Sequence, residues 1–283
     1  MGAQSEIRNM AVFCDFENVA RGVEEAKYDK FDIELVLDKL LIKGNIVAKR
    51  AYCDWARYKD FKRQMHEAAF EVIDIPHVRV SGKNSADIRM VVDALDLCYT
   101  KAHIDTFVLI TGDSDFSPLV SKLKENNKIV IGLGVKKSTS DLLSDNCHEF
   151  IFYDDLVRAK QQRRAATAKS TAARPVPPAA KPTVTGPAET AAELTIEQRR
   201  QEMVDLVVDT LEDLLKELGG EGRVLPGPLK NALMRKRPGF DESGAGYPSF
   251  SRLLEDAEKR GLLKLTRDEK TSQYLIASAA SDR

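Results

Sequence analysis

Short apolar runs alternate with helix-like segments along the first 155 residues of the chain. Six runs are strand-like: residues 11–16, 46–53, 70–75, 106–111, 128–133 and 149–153. Several are almost continuously apolar, as strands covered on both faces are. Between them, helical spacing occurs at residues 32–43, 55–69, 86–101, 116–126 and 140–145. This alternation predicts an α/β domain with a parallel sheet, right-handed crossovers and a doubly wound strand order of 3-2-1-4-5.

The pattern breaks after residue 156. Between residues 156 and 188 the chain carries seven basic and no acidic residues, and from residue 165 it consists mainly of Ala, Thr, Ser and Pro. A segment without aromatic residues and with five prolines cannot form a core. We therefore predict a disordered, basic linker over residues 158–193, between a domain at residues 1–157 and a second at residues 194–279.

The second domain has a different pattern. Apolar residues recur at helical spacing over residues 196–218, and Gly219 and Gly220 follow. Two shorter helices are predicted at residues 227–235 and 248–260, and a closing hairpin at residues 262–266 and 272–276. Helices followed by a two-stranded wing predict a small winged helix-turn-helix domain.

Composition excludes few functions. The formal charge of −1 argues neither for nor against nucleic acid, because phosphates respond to local basic patches. No apolar run approaches the roughly 18 residues of a membrane span, and the N-terminus lacks a signal-like stretch. The four cysteines are scattered without a C-x-x-C pair. We expect reduced thiols, no zinc site and a cytoplasmic location.

Carboxylates follow two of the predicted strands. Asp15 stands at the end of the first run, and Asp113 and Asp115 come directly after the fourth. In the predicted strand order the first and fourth strands are neighbours, so their carboxyl ends should converge where open parallel sheets bind ligands. A simple turn role would explain any one of these residues, whereas the converging set favours a site.

The third long helix contributes another candidate. Asp87 lies in its predicted first turn, beside the positive end of the helix dipole, with Ser85 as the expected N-cap. Asp93 and Asp96 point around the helix away from Asp87, so we expect both on the solvent side.

A cluster of this kind needs a cation, because crowded carboxylates repel each other. Hard oxygen ligands suit Mg²⁺ or Mn²⁺, which also bind substrate phosphate and can activate water for phosphodiester cleavage. Asn18 and Lys83 lie near the cluster in sequence; Asn18 would orient a water or phosphate, or cap a loop. Lys83 would neutralise the scissile phosphate, or be a solvated lysine.

Three segments, in this order, resemble the NYN family of PIN-like ribonucleases: VFCDFENV, GKNSADIRMVVDALD and LITGDSDFSPLV. The resemblance covers about the first 155 residues. It implies a Rossmann-like PIN fold and divalent-metal-dependent hydrolysis of RNA. By position, it implies that Asp15, Asp87, Asp113 and Asp115 are the metal-site acids, with Asn18 beside them.

The C-terminal part, roughly residues 195–278, resembles a LOTUS (OST-HTH) domain through Pro238–Phe240, Gly246, Tyr247 and Phe250. Such domains are associated with RNA binding, and some engage protein partners. We expect the three aromatic side chains in the core. A basic cluster in this part would either contact phosphate or form a solvated face: Arg235, Lys236 and Arg237.

The resulting hypothesis is a metal-dependent ribonuclease with a C-terminal RNA- or partner-binding module. One alternative is a non-catalytic RNA-binding protein of the same fold. A haloacid-dehalogenase-type phosphatase needs a D-x-D pair at the first strand, and Asp15 is followed instead by Phe16 and Glu17. A DNA substrate stays open, and the sequence does not indicate the oligomeric state.

Overall fold

A six-stranded parallel sheet forms the centre of the N-terminal part, as seen in a computed structural model that describes residues 8–76, 84–172, 196–219, 222–267 and 274–278. The strands are β1 (Arg8–Asp15), β2 (Gly44–Cys53), β3 (Glu71–Asp74), β4 (Thr106–Ile110), β5 (Ile129–Gly134) and β6 (Glu149–Phe152). Their order is β3-β2-β1-β4-β5-β6, and all pairs are parallel. The predicted order of the first five strands is confirmed, so β1 and β4 are neighbours.

Among the described residues, seven α-helices accompany these strands: α1 (Phe16–Glu25), α2 (Ile33–Lys43), α3 (Lys59–Glu67), α4 (Ser85–Thr100), α5 (Ser117–Glu125), α6 (Asp141–Asn146) and α7 (Tyr153–Ala172). Helix α1 was missing from the sequence-based prediction. It begins directly after β1, with Asp15 as its N-cap, and buries Phe16, Val19 and Val23 on one face. This spacing is that of an amphipathic helix.

The sheet separates two apolar layers. Along β1, Met10, Val12 and Cys14 belong to the layer that packs against α1, α2 and α3, whereas Ala11 and Phe13 belong to the layer against α4, α5 and α6. Successive side chains of a strand point to opposite faces. Because both faces are covered, the run is apolar throughout.

Helix α4 corrects two predictions. Asp93 is not a solvent-side charge: it is 9% exposed, and its carboxylate accepts hydrogen bonds from the Tyr52 hydroxyl at 3.0 Å and from Arg89 Nε at 3.0 Å. Ser85 is the first helical residue rather than the N-cap, and Asn84 precedes it without a side-chain capping bond. Asp87 does lie in the first turn, and Asp96 is exposed, as expected.

The predicted linker is wrong in its first part, because α7 continues through residues 158–172. Ala, Gln, Lys and Arg dominate that stretch, and all have good helix propensity. The prolines begin only at Pro175. The chain divides into unit 1, Met1–Ala172, and unit 2, Ala173–Arg283; the remaining linker positions, 173–193, lie outside the described residues.

Unit 2 contains α8 (Ile196–Glu217), α9 (Pro226–Lys236), α10 (Phe250–Lys259) and an antiparallel pair of strands, β7 (Leu263–Arg267) and β8 (Tyr274–Ser278). These elements agree in type with the prediction. Phe240, Tyr247 and Phe250 are buried in the core that the helices share, as expected. The winged helix-turn-helix assignment stays a prediction. In the described ranges of both units, no helix has the length and apolar character needed to cross a membrane.

Candidate functional site

The four predicted aspartates line one cavity of about 440 Å³ in unit 1. Asp15 ends β1, and Asp113 is the third residue after the end of β4. Since these strands are parallel neighbours, their carboxyl ends meet at the same edge of the sheet. Asp87 reaches this edge from the first turn of α4, and Asp115 from the loop after β4.

Asp15 is the deepest of the four, with 7% of its surface exposed. Its Oδ1 accepts from the backbone N–H of Asn18 at 3.3 Å, and its Oδ2 accepts from the Thr111 hydroxyl at 3.2 Å. Within the described ranges, no lysine or arginine forms a salt bridge with Asp15. The carboxylate is held in place by neutral donors, and no basic side chain among the described residues pairs with it.

Burial and repulsion shift the acidity of this cluster. Burial raises the pKa of Asp15 from its ordinary 3.8 to about 7, with Asp87 and then Asp113 adding to the rise and the Asn18 and Thr111 hydrogen bonds opposing it. The pKa of Asp87 is also raised, by burial first and then by Asp113, Asp115 and Glu17, while Arg21 opposes the rise. A cation in the cavity would relieve this repulsion.

Asn18 connects the two segments that carry Asp15 and Asp113. Its side-chain oxygen accepts from Gly112 N–H at 2.8 Å, which ties the start of α1 to the loop after β4. Gly112 also lies close to another loop: a Cβ there would stand 2.5 Å from the Ser138 carbonyl oxygen, so only glycine fits. Loop anchoring is therefore an observed role of Asn18.

Asp113 and Asp115 differ in depth. Asp113 is half-buried, and its Oδ1 accepts from the backbone N–H of Asp115 at 2.9 Å, capping the short 3₁₀ turn at Ser114–Phe116. Asp115 is exposed at the cavity rim. Lys83, the predicted phosphate partner, lies outside the described residues.

The sequence profile of the NYN domain matches residues 9–154, which contain the whole cavity lining. The chain belongs to the NYN family. NYN domains are part of the PIN-like nuclease superfamily, and the six-stranded parallel sheet fits that fold.

Two proteins are similar to this NYN chain. An uncharacterized protein of Methanocaldococcus jannaschii is 28% identical over 136 residues, which are 48% of this chain and 51% of that protein. The chain therefore spans about half the length of that curated relative. A crystal structure of a protein of unknown function from Vibrio parahaemolyticus is 26% identical, with a TM-score of 0.48, and covers 55% of this chain and 98% of that one.

Four further charged residues line the NYN cavity and were missing from the sequence-based prediction: Glu17, Arg21, Asp54 and Arg57. Glu17 and Arg21 are four residues apart on α1, so recognising that helix would have indicated their pairing. Arg57 follows Glu17 by 40 residues, and no local pattern links it to the site.

The donor chemistry of the cavity fits a hard divalent cation. In the part of the chain that the structure describes, no group of three His, Cys, Asp or Glu side chains is arranged to hold a metal ion alone. Mg²⁺, however, is commonly held by one or two carboxylates together with waters and substrate phosphate, and Mn²⁺ favours the same oxygen ligands. The residues therefore suit an open, water-completed site rather than a closed cage.

The basic cluster of unit 2 is less available than its sequence indicates. Lys236 Nζ lies 2.9 Å from Asp213 Oδ2, and only 7% of the lysine side chain is exposed. Arg235 is half-buried, and burial lowers its pKa. Arg237, directly after α9, is exposed. Lys236 is thus paired within unit 2 and Arg237 faces solvent, and RNA contact by this cluster stays a prediction.

Proposed function

We propose that the NYN domain is a divalent-metal-dependent ribonuclease that hydrolyses phosphodiester bonds in RNA. The observation that supports this most is the gathering of Asp15, Asp87 and Asp113 around one cavity, with Asp115 at its rim. Proteins rarely bury carboxylates beside one another without a cation, and functional sites are where such arrangements cluster. The family relationship supports the same class of chemistry.

Each acid has a place in the proposed mechanism. The cation would be held by Asp15, Asp87 and Asp113. Asp15 is oriented by the Asn18 N–H and the Thr111 hydroxyl. A bound Mg²⁺ or Mn²⁺ would supply Lewis-acid activation of water and charge neutralisation at the phosphate. Asp115 would orient water at the rim, and Lys83 is proposed to offset phosphate charge.

The test is cleavage of a defined RNA panel by the full chain in Mg²⁺ or Mn²⁺, with EDTA and Asp113→Asn as negative controls. Asp241→Asn is a matched control, because Asp241 also caps a 3₁₀ turn, through Ser243 N–H, but lies in unit 2. We expect Asp113→Asn to lose about 10²-fold or more and Asp241→Asn to cleave like the wild type. Equal cleavage by wild type and Asp113→Asn would rule out the assigned site.

A non-catalytic RNA-binding role is the second candidate, favoured by the absence, among the described residues, of a ready three-ligand metal group. It predicts RNA binding without cleavage in any metal. Matched DNA and RNA of one sequence, compared in the same assays, decide between the two nucleic acids. The cleavage assay described above also separates the ribonuclease from the non-catalytic RNA-binding protein.

For unit 2 we propose an RNA- or partner-binding role, as the resemblance to LOTUS domains implies. Its support is the three-helix core with an antiparallel strand pair and the exposed Arg237. RNA binding by the full chain, measured with and without an Arg237 substitution, tests whether unit 2 binds RNA.

A further inference from the structure

Two arginine side chains flank the acidic cavity on the side formed by α1 and the loop after β2. Arg21 and Arg57, here called the arginine pair, both line the cavity that contains Asp15 and Asp87. Their side chains are 63% and 53% exposed. Arg21 is close enough to the carboxylates for its charge to act on Asp87. The cavity therefore has an acidic wall and a basic rim.

One glutamate aligns both members of the pair. The half-buried Glu17 accepts from Arg21 and, at 3.3 Å, from Arg57 Nη1, and both bonds use the same oxygen, Oε1. The turn that carries Arg57 is itself anchored, since Arg57 N–H donates to the Asp54 carbonyl at 3.0 Å and the neighbouring Trp55 is buried. The two guanidinium groups thus approach one point from two separate elements.

The charge of this trio differs from that of an ordinary surface ion pair. Two arginines against one glutamate leave a net charge of +1 for the trio. The Glu17 oxygen, together with the Tyr58 hydroxyl that also bonds to Arg21, cannot use all ten N–H donors of two guanidinium groups. Exposed ion pairs contribute little to stability, so stability does not explain why two arginines converge here. Planar guanidinium donors match the oxygens of a phosphate.

We propose that Arg21 and Arg57, aligned by Glu17, bind an internal phosphodiester of the RNA next to the one held at the carboxylates. This rests on the proposed function, because RNA must enter the cavity. An RNA strand carries a negative charge at every nucleotide, whereas a cation at the carboxylates neutralises only the phosphate it contacts. The neighbouring phosphate is repelled by the carboxylates of the cavity, so it needs a positively charged partner of its own.

The first experiment measures binding of labelled single-stranded RNA to the full chain in EDTA, across a salt series. Arg21→Gln and Arg57→Gln keep the side-chain stems, and Arg63→Gln is the matched control. Arg63 forms the same type of i,i+4 pair, with Glu67 at 2.8 Å on α3, away from the cavity lining. We expect each cavity variant to weaken binding about 3- to 10-fold and to reduce the salt slope by about one.

Arg63→Gln should bind within about twofold of the wild type. Unfolding temperatures and circular dichroism check that all variants fold. If folded Arg21→Gln and Arg57→Gln bind RNA like Arg63→Gln, with the same salt slope, the arginine pair is only structural and the proposal is overturned.

A second arm distinguishes the source of the phosphate. Two RNAs of one sequence are compared, one with a 5′-hydroxyl and one with a 5′-phosphate. Arg21→Gln and Arg57→Gln should weaken binding of both RNAs equally. A loss confined to the 5′-phosphorylated RNA would overturn the assignment to an internal phosphodiester. Cleavage by the same variants should show a raised KM with little change in kcat. Should the wild type bind RNA but cleave none, the proposed ribonuclease activity fails while the binding result for the arginine pair still stands.

Discussion

Asp15 and Asp93 are both buried in the NYN domain, yet their surroundings differ. Asp93 accepts from the Tyr52 hydroxyl and from Arg89, and Arg50 Nη1 lies 3.8 Å away. Asp15 accepts from one N–H and one hydroxyl, and its charged neighbours are other carboxylates. Burial alone therefore does not mark a functional acid.

The difference shows how the same residue type serves two purposes. A buried carboxylate with cations and a hydroxyl around it is satisfied within the fold, so it joins α4 to β2. A buried carboxylate among other carboxylates is stabilised further by a bound proton or cation, as the raised pKa of Asp15 indicates. The region around Asp15 is thus the candidate site, and the region around Asp93 is structural support.

The largest expected contrast is in RNA cleavage. Asp15→Asn should lose about 10²–10³-fold in single-turnover rate, because it removes a proposed metal ligand. Asp93→Asn should stay within about threefold of the wild type at a temperature where it is folded. A comparable loss in folded Asp93→Asn would mean that both aspartates belong to the site.

Unfolding in urea should show the opposite ranking. Asp93→Ala should lower the free energy of unfolding by about 2–3 kcal/mol, since it leaves the buried Tyr52 hydroxyl without its acceptor. Asp15→Asn, measured in EDTA at pH 8, should raise it by about 1–2 kcal/mol through relief of burial and repulsion. A destabilised Asp15→Asn would show that its hydrogen bonds outweigh that relief.

The pH dependence of the metal-free protein should follow from Asp15. Its pKa is about 7 in the folded state and 3.8 ordinarily, so the folded state binds more protons between these values. Stability should consequently fall by about 3 kcal/mol as pH rises from 4 to 7, and then level off. Asp15→Asn should flatten this part of the curve.

Metal addition offers the control for that experiment. Mn²⁺ or Mg²⁺ should raise the unfolding temperature more at pH 8 than at pH 5, because protons compete for the carboxylates. An equal rise at both pH values, or the same rise in Asp15→Asn, would contradict the site.

The smallest expected effect is a change in RNA affinity in variants of unit 2, where a paired and an exposed basic residue are compared. Lys236 is paired with Asp213, whereas Arg237 is exposed. We expect Arg237→Gln to weaken RNA binding by the full chain about two- to threefold, and Lys236→Met to leave it unchanged. Titration against a salt series checks both variants. Equal losses would mean that the Lys236–Asp213 pair opens when RNA binds.

Sequence patterns predicted much of the NYN sheet but less of its surroundings. The strands of continuous apolar residues were found because each is covered on both faces. Helix α1 was missed because its first buried residue, Phe16, directly continues the β1 run. Asp93 was misplaced because helical spacing gives its angle relative to Asp87, but not which side of α4 meets the sheet.

The sequence by itself determined the strand-end positions of Asp15 and Asp113, because alternation of strands and helices dictates a parallel sheet whose carboxyl ends coincide. Only the tertiary structure decided their partners. Asn18 reaches Gly112 across 94 residues, and Arg57 reaches Glu17 across 40. Such contacts depend on how loops close over the sheet edge, a property of the folded chain that local periodicity does not encode.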